Sequence, residues 1–271
     1  MTSDVHFISG LPRSGSTLLS ALLRQNPRVW ASVSSPVATL WGELLPRMSG
    51  KSEYSSFFDD ERRGRILKGI FDGYYGPDRR AVVFDTNRSW TARAPIVHAL
   101  YPDARIVCCV RDVSWVIDSV ERVVRRNPLQ MSRIFGFKPG ASVYARADVL
   151  MDQENGLVGA PWSALREAWF SELADRLIVV NYDSFTRDPR STMSKLYAEL
   201  GEAAFEHDFE NIEYDEPDYD EDLGTPGLHR VRSRVEPAQR PSCLPPDIFA
   251  KYADANFWAR PEYQGRGVTV L

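Results

Sequence analysis

The chain predicts an α/β fold: a central, mostly parallel β-sheet flanked by helices on both faces. Three observations predict it. Short runs rich in Val and Ile alternate with amphipathic helical stretches, the pattern of buried parallel strands joined by crossover helices. The first apolar run leads into a Gly/Ser loop and then into a helical run. The 271 residues, 43% of them hydrophobic and 11% aromatic, are enough for a sizeable core and argue against disorder.

In chain order, residues 5–9 form the first strand and 17–24 the helix after the loop. A strand over 81–84 is followed by a helix over 92–100, and a strand over 105–110 by a helix over 113–125. A helix over 162–174 leads to a strand over 177–181 and a helix over 189–200. Asp188 and Pro189 make a good start for that helix, as N-cap and first helical residue. A last helix is expected over 245–256. Two stretches interrupt the alternation. Residues 127–160 carry Pro and Gly with little periodicity and are expected to be an insertion, a substrate lid. Residues 213–235 form a loop whose first part, 213–227, is acidic. Neither is long enough for a domain, so one domain is expected over 1–271.

The net charge of −4 gives no global signal for nucleic acid. No run approaches the ~18 apolar residues of a membrane span, and no basic segment followed by an apolar one opens the chain. The three cysteines make no disulfide framework. Cys108 and Cys109 are neighbours in a strand and should point to opposite faces. A reducing, cytoplasmic setting is expected.

Gly10-Leu11-Pro12-Arg13-Ser14-Gly15-Ser16-Thr17 has the spacing of a phosphate-binding loop, with Ser16 where that loop carries lysine. Backbone N–H groups at such a strand–loop–helix junction face an anion. Nucleotide triphosphates need that lysine and a magnesium ion. Here Arg13 is the nearby cation, so a phosphate-like group other than the γ-phosphate of ATP is expected. A second anion site is expected where the 105–110 strand ends in Arg111, with Ser119 about two turns into the next helix.

With these two elements the chain resembles the sulfotransferases that use 3′-phosphoadenosine 5′-phosphosulfate (PAPS). Their first loop matches Pro12 to Thr17, their R-D/N-x6-S element matches Arg111-Asp112 through Ser119, and their Y-[ED]-x-[LF]…D-P run matches Tyr182-Asp183-Ser184-Phe185 with Asp188-Pro189. The resemblance spans roughly residues 5 to 200, in order. It implies that Arg13, Ser14, Gly15, Ser16 and Thr17 hold the phosphosulfate. Arg111 and Ser119 grip the 3′-phosphate of PAPS or of its product PAP, and Tyr182 lies near the nucleotide. It also implies a soluble enzyme that needs no metal. Charge would develop on the leaving 5′-phosphate oxygen, opposite Arg13 and the amides opening the first helix.

Many family members carry their basic histidine in a K-[TS]-H triplet. The matching triplet here is Asp85-Thr86-Asn87, and Asn87 cannot act as a base. Asp85 is the first candidate for general base and His229 the second. His229 sits in a Gly/Pro loop with Arg230 and Arg232, which are also expected to reach the donor. Asp85 as a turn cap remains an open alternative. The acceptor hydroxyl, of a small molecule or a peptide, is not legible; Trp30, Trp41, Trp90 and Tyr144 are candidate walls for its pocket. Two rivals stay open: a small-molecule kinase with an atypical loop, and a PAP-binding module without catalysis, which Asn87 favours. The oligomeric state has no signal.

Overall fold

The computed structural model describes residues 4–50, 53–77, 80–129, 135–138, 140–237 and 240–271. Its centre is a sheet of β1 (Asp4–Gly10), β2 (Val29–Ala31), β3 (Val82–Thr86), β4 (Ile106–Val110), β5 (Leu177–Asn181) and β6 (Thr269–Val270). The spatial order is β2-β3-β1-β4-β5-β6, and every pairing is parallel. From β1 the chain builds one side of the sheet, then crosses over and builds the other. The gap beyond the carboxyl ends of β1 and β4 is therefore a topological switch point, where open α/β sheets collect ligands.

The helices are α1 (Ser16–Leu23), α2 (Val37–Ser49), α3 (Asp60–Tyr75), α4 (Ala94–Leu100), α5 (Val113–Arg126), α6 (Val143–Leu150), α7 (Gly159–Trp169), α8 (Tyr182–Arg187), α9 (Pro189–Leu200), α10 (Pro217–Asp222) and α11 (Pro246–Ala253). They cover both faces of the sheet. Because side chains alternate along a strand, each strand feeds two cores. Phe7, Val83 and Cys108 pack with Trp41, Phe71, Trp90 and Trp169 on one face. Ile8, Phe84 and Cys109 pack with Leu19, Leu22 and Leu196 on the other. The adjacent cysteines thus enter opposite layers, as their spacing predicts.

Asp188 caps α9 as expected, accepting from Ser191 N at 3.0 Å. The sequence reading does not find α2 and α3. Pro46 lies inside α2, and Gly64, Gly69 and Gly73 lower the helix propensity of α3. What holds α3 is its buried Leu67, Phe71 and Tyr75, spaced by four, and its cap, where Asp59 accepts from Arg62 N at 2.7 Å. Strands β2 and β6, three and two residues long, are too short to leave a periodic signal.

Two acids inside α5 fix its surroundings. Asp118, fully buried, accepts from Arg122 Nε at 3.1 Å, Ser242 Oγ at 3.0 Å, Cys243 N at 2.6 Å and the Arg240 guanidinium. Glu121 pairs with Arg146 at 2.7 Å and Arg125 at 2.8 Å, which docks α6 onto α5. So part of the interruption at 127–160 is ordered helix, α6 and the start of α7. Its residues 130–134 and 139 lie outside the described residues. Among the described residues no helix is long and apolar enough to cross a membrane.

Candidate active site

At the switch point lies a cavity of about 470 Å³. Gly10 ends β1 with φ 102°, and a Cβ there would sit 2.2 Å from the Cys109 carbonyl oxygen. Only glycine lets β1 leave the sheet so close to β4. Arg13 follows at φ 58°, the one non-glycine residue with positive φ among those described. Such a conformation costs about 1–2 kcal/mol and collects at ligand-binding loops. Gly15 (φ 92°) precedes α1 without a side-chain cap, and a Cβ there would meet Tyr182 Cδ2 at 2.8 Å. The N–H groups opening α1 are thus left without a side-chain acceptor, at the positive end of the helix dipole.

The two predicted anion motifs meet. Arg13 Nε donates to Ser119 Oγ at 3.2 Å, and Arg13 Nη1 donates to the Leu228 carbonyl. Arg13 thereby bridges the loop, α5 and the segment ahead of His229. Arg111 leaves β4 with its guanidinium 4.4 Å from the centre of the Tyr182 ring. Its Nε is buried without a hydrogen-bond partner among the described residues. A buried, unpaired cationic donor is costly unless something fills the gap.

Nine arginines line the cavity. Arg122 and Arg240 pair with Asp118, Arg232 with Glu236 at 3.3 Å, and Arg234 with Glu210 at 2.8 Å. Arg13, Arg88, Arg111, Arg126 and Arg230 have no carboxylate partner among the described residues. Burial, and then Arg111, push the Arg13 guanidinium below its usual range, and burial does the same to Arg88. Both remain cations at any ordinary pH.

His229 reaches this cavity with a partner. Its Nδ1 lies 2.5 Å from Asp220 Oδ1, and its backbone N–H donates to Asp220 Oδ2 at 2.8 Å. Asp220 is fully buried and is further held by Thr225 N, which donates to the Asp220 carbonyl at 2.9 Å. A carboxylate on Nδ1 fixes the tautomer that leaves Nε2 with its lone pair. Burial lowers the His229 pKa; Asp220 opposes this, while Arg13 and Arg88 add to it. Sequence reasoning names His229 but misses Asp220. The available signal was an acid nine residues upstream in the acidic run, among many others.

Asp85 is elsewhere. Thr86, Asn87 and Arg88 line the cavity, but Asp85 does not. Its side chain is fully buried and accepts from Ser35 Oγ at 2.7 Å, Tyr75 Oη at 2.8 Å and Trp90 Nε1 at 2.8 Å. The alternation of β3 turns it toward α2 and α3, away from the loop. Arg88 therefore does not pair with it. Burial raises the Asp85 pKa against these hydrogen bonds. The native state then holds its proton to higher pH than the unfolded chain. Its stability contribution declines as pH rises through the folded pKa and is level above it. Asp85→Ala strands three buried neutral donors, each costing about 1–3 kcal/mol, and the loss is read by chemical denaturation. Asp85→Asn, whose rotatable hydroxyl partners can readjust, should cost less, flatten that pH dependence and retain turnover.

Other predicted positions divide. Ser14 is buried behind the loop and donates to the Pro12 carbonyl at 3.2 Å, whereas Gly15, Ser16, Thr17, Tyr182, Arg230 and Arg232 line the cavity. None of Trp30, Trp41, Trp90 and Tyr144 does. Trp41 and Trp90 are core, and Trp30 and Tyr144 are exposed elsewhere. A smaller apolar cavity of about 160 Å³ abuts the first, sharing Val123 and Phe135.

Comparison with known proteins bears on the whole arrangement. The family model described as "Sulfotransferase family" matches residues 6–207, about three quarters of the chain. Among solved structures, the sulfotransferase domain of the olefin synthase from Synechococcus PCC 7002 superposes with a TM-score of 0.50. It shares 19% identity over 93% of this chain and 94% of that one. A sulfotransferase from Alicyclobacillus acidocaldarius gives 0.50 with 18% identity over 82% and 90% of the two chains. At these identities the structures speak to the fold alone. No curated protein matches the chain in sequence. The match embraces the loop at Arg13, the Arg111–Ser119 element and Tyr182, on a parallel sheet of the same fold: the chain belongs to the sulfotransferase family.

Proposed function

We propose that the protein transfers the sulfuryl group of PAPS to an acceptor hydroxyl by in-line displacement, without a metal. The observation that carries this is the set of five arginines without carboxylate partners around one cavity at the switch point. PAPS brings roughly four negative charges at neutral pH, counting the 3′-phosphate at nearly two. The residues suit it. Arg111 and Ser119 would hold the 3′-phosphate, with the orphaned Arg111 Nε supplying a donor. Ser16, Thr17 and the amides opening α1 would hold the 5′-phosphosulfate. Arg13 would stabilise the bridging oxygen that gains charge as the sulfur–oxygen bond breaks. His229, oriented by Asp220, takes the acceptor proton on Nε2. That pair could supply the base that Asn87 cannot, which speaks against a binding module without catalysis.

Titration calorimetry with PAP, adenosine 5′-phosphosulfate and ATP, each with and without magnesium, tests the donor assignment. PAP is expected to bind tightest and independently of magnesium. Arg111→Ala should weaken PAP by about 10–100-fold, the equivalent of one charge-assisted contact. It should leave adenosine 5′-phosphosulfate, which lacks the 3′-phosphate, nearly unchanged. Tighter binding of magnesium-ATP than of PAP would overturn the assignment in favour of a kinase.

A further inference from the structure

The base of this site already has a phenol beside it. Tyr219, on α10 one residue before Asp220, lines the cavity, and its ring lies 5.3 Å from the His229 ring at 48°. It is 36% exposed, so the ring packs on the histidine while its surface stays open to the cavity. Arg88 lines the same cavity and has no carboxylate partner among the described residues. The Tyr219 hydroxyl has no hydrogen-bond partner among the described residues. The helix under it is pinned: Asp220 N donates to the Glu216 carbonyl at 3.1 Å, and Leu223 N to the Tyr219 carbonyl at 3.2 Å. The other phenol of the cavity, Tyr182, is wedged between Gly15 and Arg111. The other tyrosine of the acidic run, Tyr214, is buried against Arg24 outside the cavity.

Resting on the PAPS assignment above, we propose that Tyr219 is a sulfation site of the enzyme itself. With donor bound and acceptor absent, its hydroxyl takes the sulfuryl group. The Tyr219 Oη–sulfur bond forms as the sulfur–oxygen bond to the 5′-phosphate breaks. The electron pair leaves with PAP, and the phenolic proton passes to His229 and then to water. The products are tyrosine O-sulfate, PAP and a proton. The acidic neighbours do not carry this: Asp215, Asp218 and Glu221 are exposed and none lines the cavity. What carries it is a phenol packed on the proposed base, in a cavity that Arg88 also lines. An ester sulfate formed there adds negative charge to the cavity that Arg88 lines and competes with the next donor for its cations. Self-sulfation therefore slows an enzyme that has donor but no acceptor.

The test incubates the full chain with ³⁵S-labelled PAPS and no acceptor, followed by intact-mass measurement and peptide mapping. One SO₃ unit per chain is expected, on the peptide that contains Tyr219. The label should vanish in Tyr219→Phe, persist in Tyr214→Phe and accumulate more slowly in His229→Gln. An unlabelled chain that still binds PAP by calorimetry overturns self-sulfation and leaves the donor assignment standing, as does a label mapped to another residue. A chain that neither binds PAP nor takes label overturns both.

Discussion

Replacing Arg13 with glutamine is expected to lower kcat by about 10²–10³-fold, the usual loss when one preorganised donor to a developing negative charge is removed. The reason is structural. Arg13 is the cation within the anion loop, its left-handed backbone aims its side chain across the site, and Ser119 and the Leu228 carbonyl hold the guanidinium in place. Charge on the breaking sulfur–oxygen bond is greatest in the transition state, so the loss should fall on kcat more than on donor affinity. Glutamine keeps the length and polarity of the side chain and the same backbone strain, so the melting midpoint should move little. Arg13→Lys returns the charge without the planar fork and should recover part of the rate. Steady-state kinetics with labelled PAPS read all three values; a kcat unchanged in Arg13→Gln would remove Arg13 from the chemistry.

His229→Gln should cost about 10²–10⁴-fold in kcat, the span of general-base catalysis, with PAP affinity largely preserved. The pH profile separates this from a packing defect. Burial, Arg13 and Arg88 all disfavour the imidazolium in the free enzyme. The basic form is present above the folded pKa, which lies below the ordinary value of 6.5. So kcat/KM should rise with pH through an inflection below that value and be flat above neutrality. Asp220→Asn removes the one group that raises the pKa and fixes the tautomer. It should move the inflection further down and lower the plateau. A bound, highly anionic donor favours the imidazolium, so the inflection in kcat should lie above that in kcat/KM. A wild-type profile that survives in His229→Gln would assign the base elsewhere.

The residues proposed to hold the donor are legible in the sequence because they are close along the chain. Gly10 to Thr17 is a single turn between one strand and one helix, and Arg111 to Ser119 is one strand end and two helical turns. Local spacing sets their geometry. The four long strands are legible for a similar reason, since burial on both faces leaves unbroken apolar runs. The base is harder. Asp85 and Arg88 are three residues apart, yet one enters the core behind Trp90 and Tyr75 and the other enters the cavity. That choice belongs to the pleat of β3 and to helices α2 and α3, whose glycines and proline conceal them. Asp220 is hidden differently: in the acidic run it is one carboxylate among several, and only the turn at Thr225 brings it back under His229.

The cluster of unpaired arginines also has a kinetic meaning that the overall charge conceals. A molecule of net charge −4 repels polyanions on average. Nine of its arginines, however, line one concave site beyond the carboxyl ends of the strands, where low-dielectric walls focus the field outward. A small, highly charged nucleotide is drawn into that opening. Encounter with the donor should then be fast in dilute buffer and fall steeply as salt shortens the reach of the field. Dissociation, governed by contacts made inside the cavity, should respond far less.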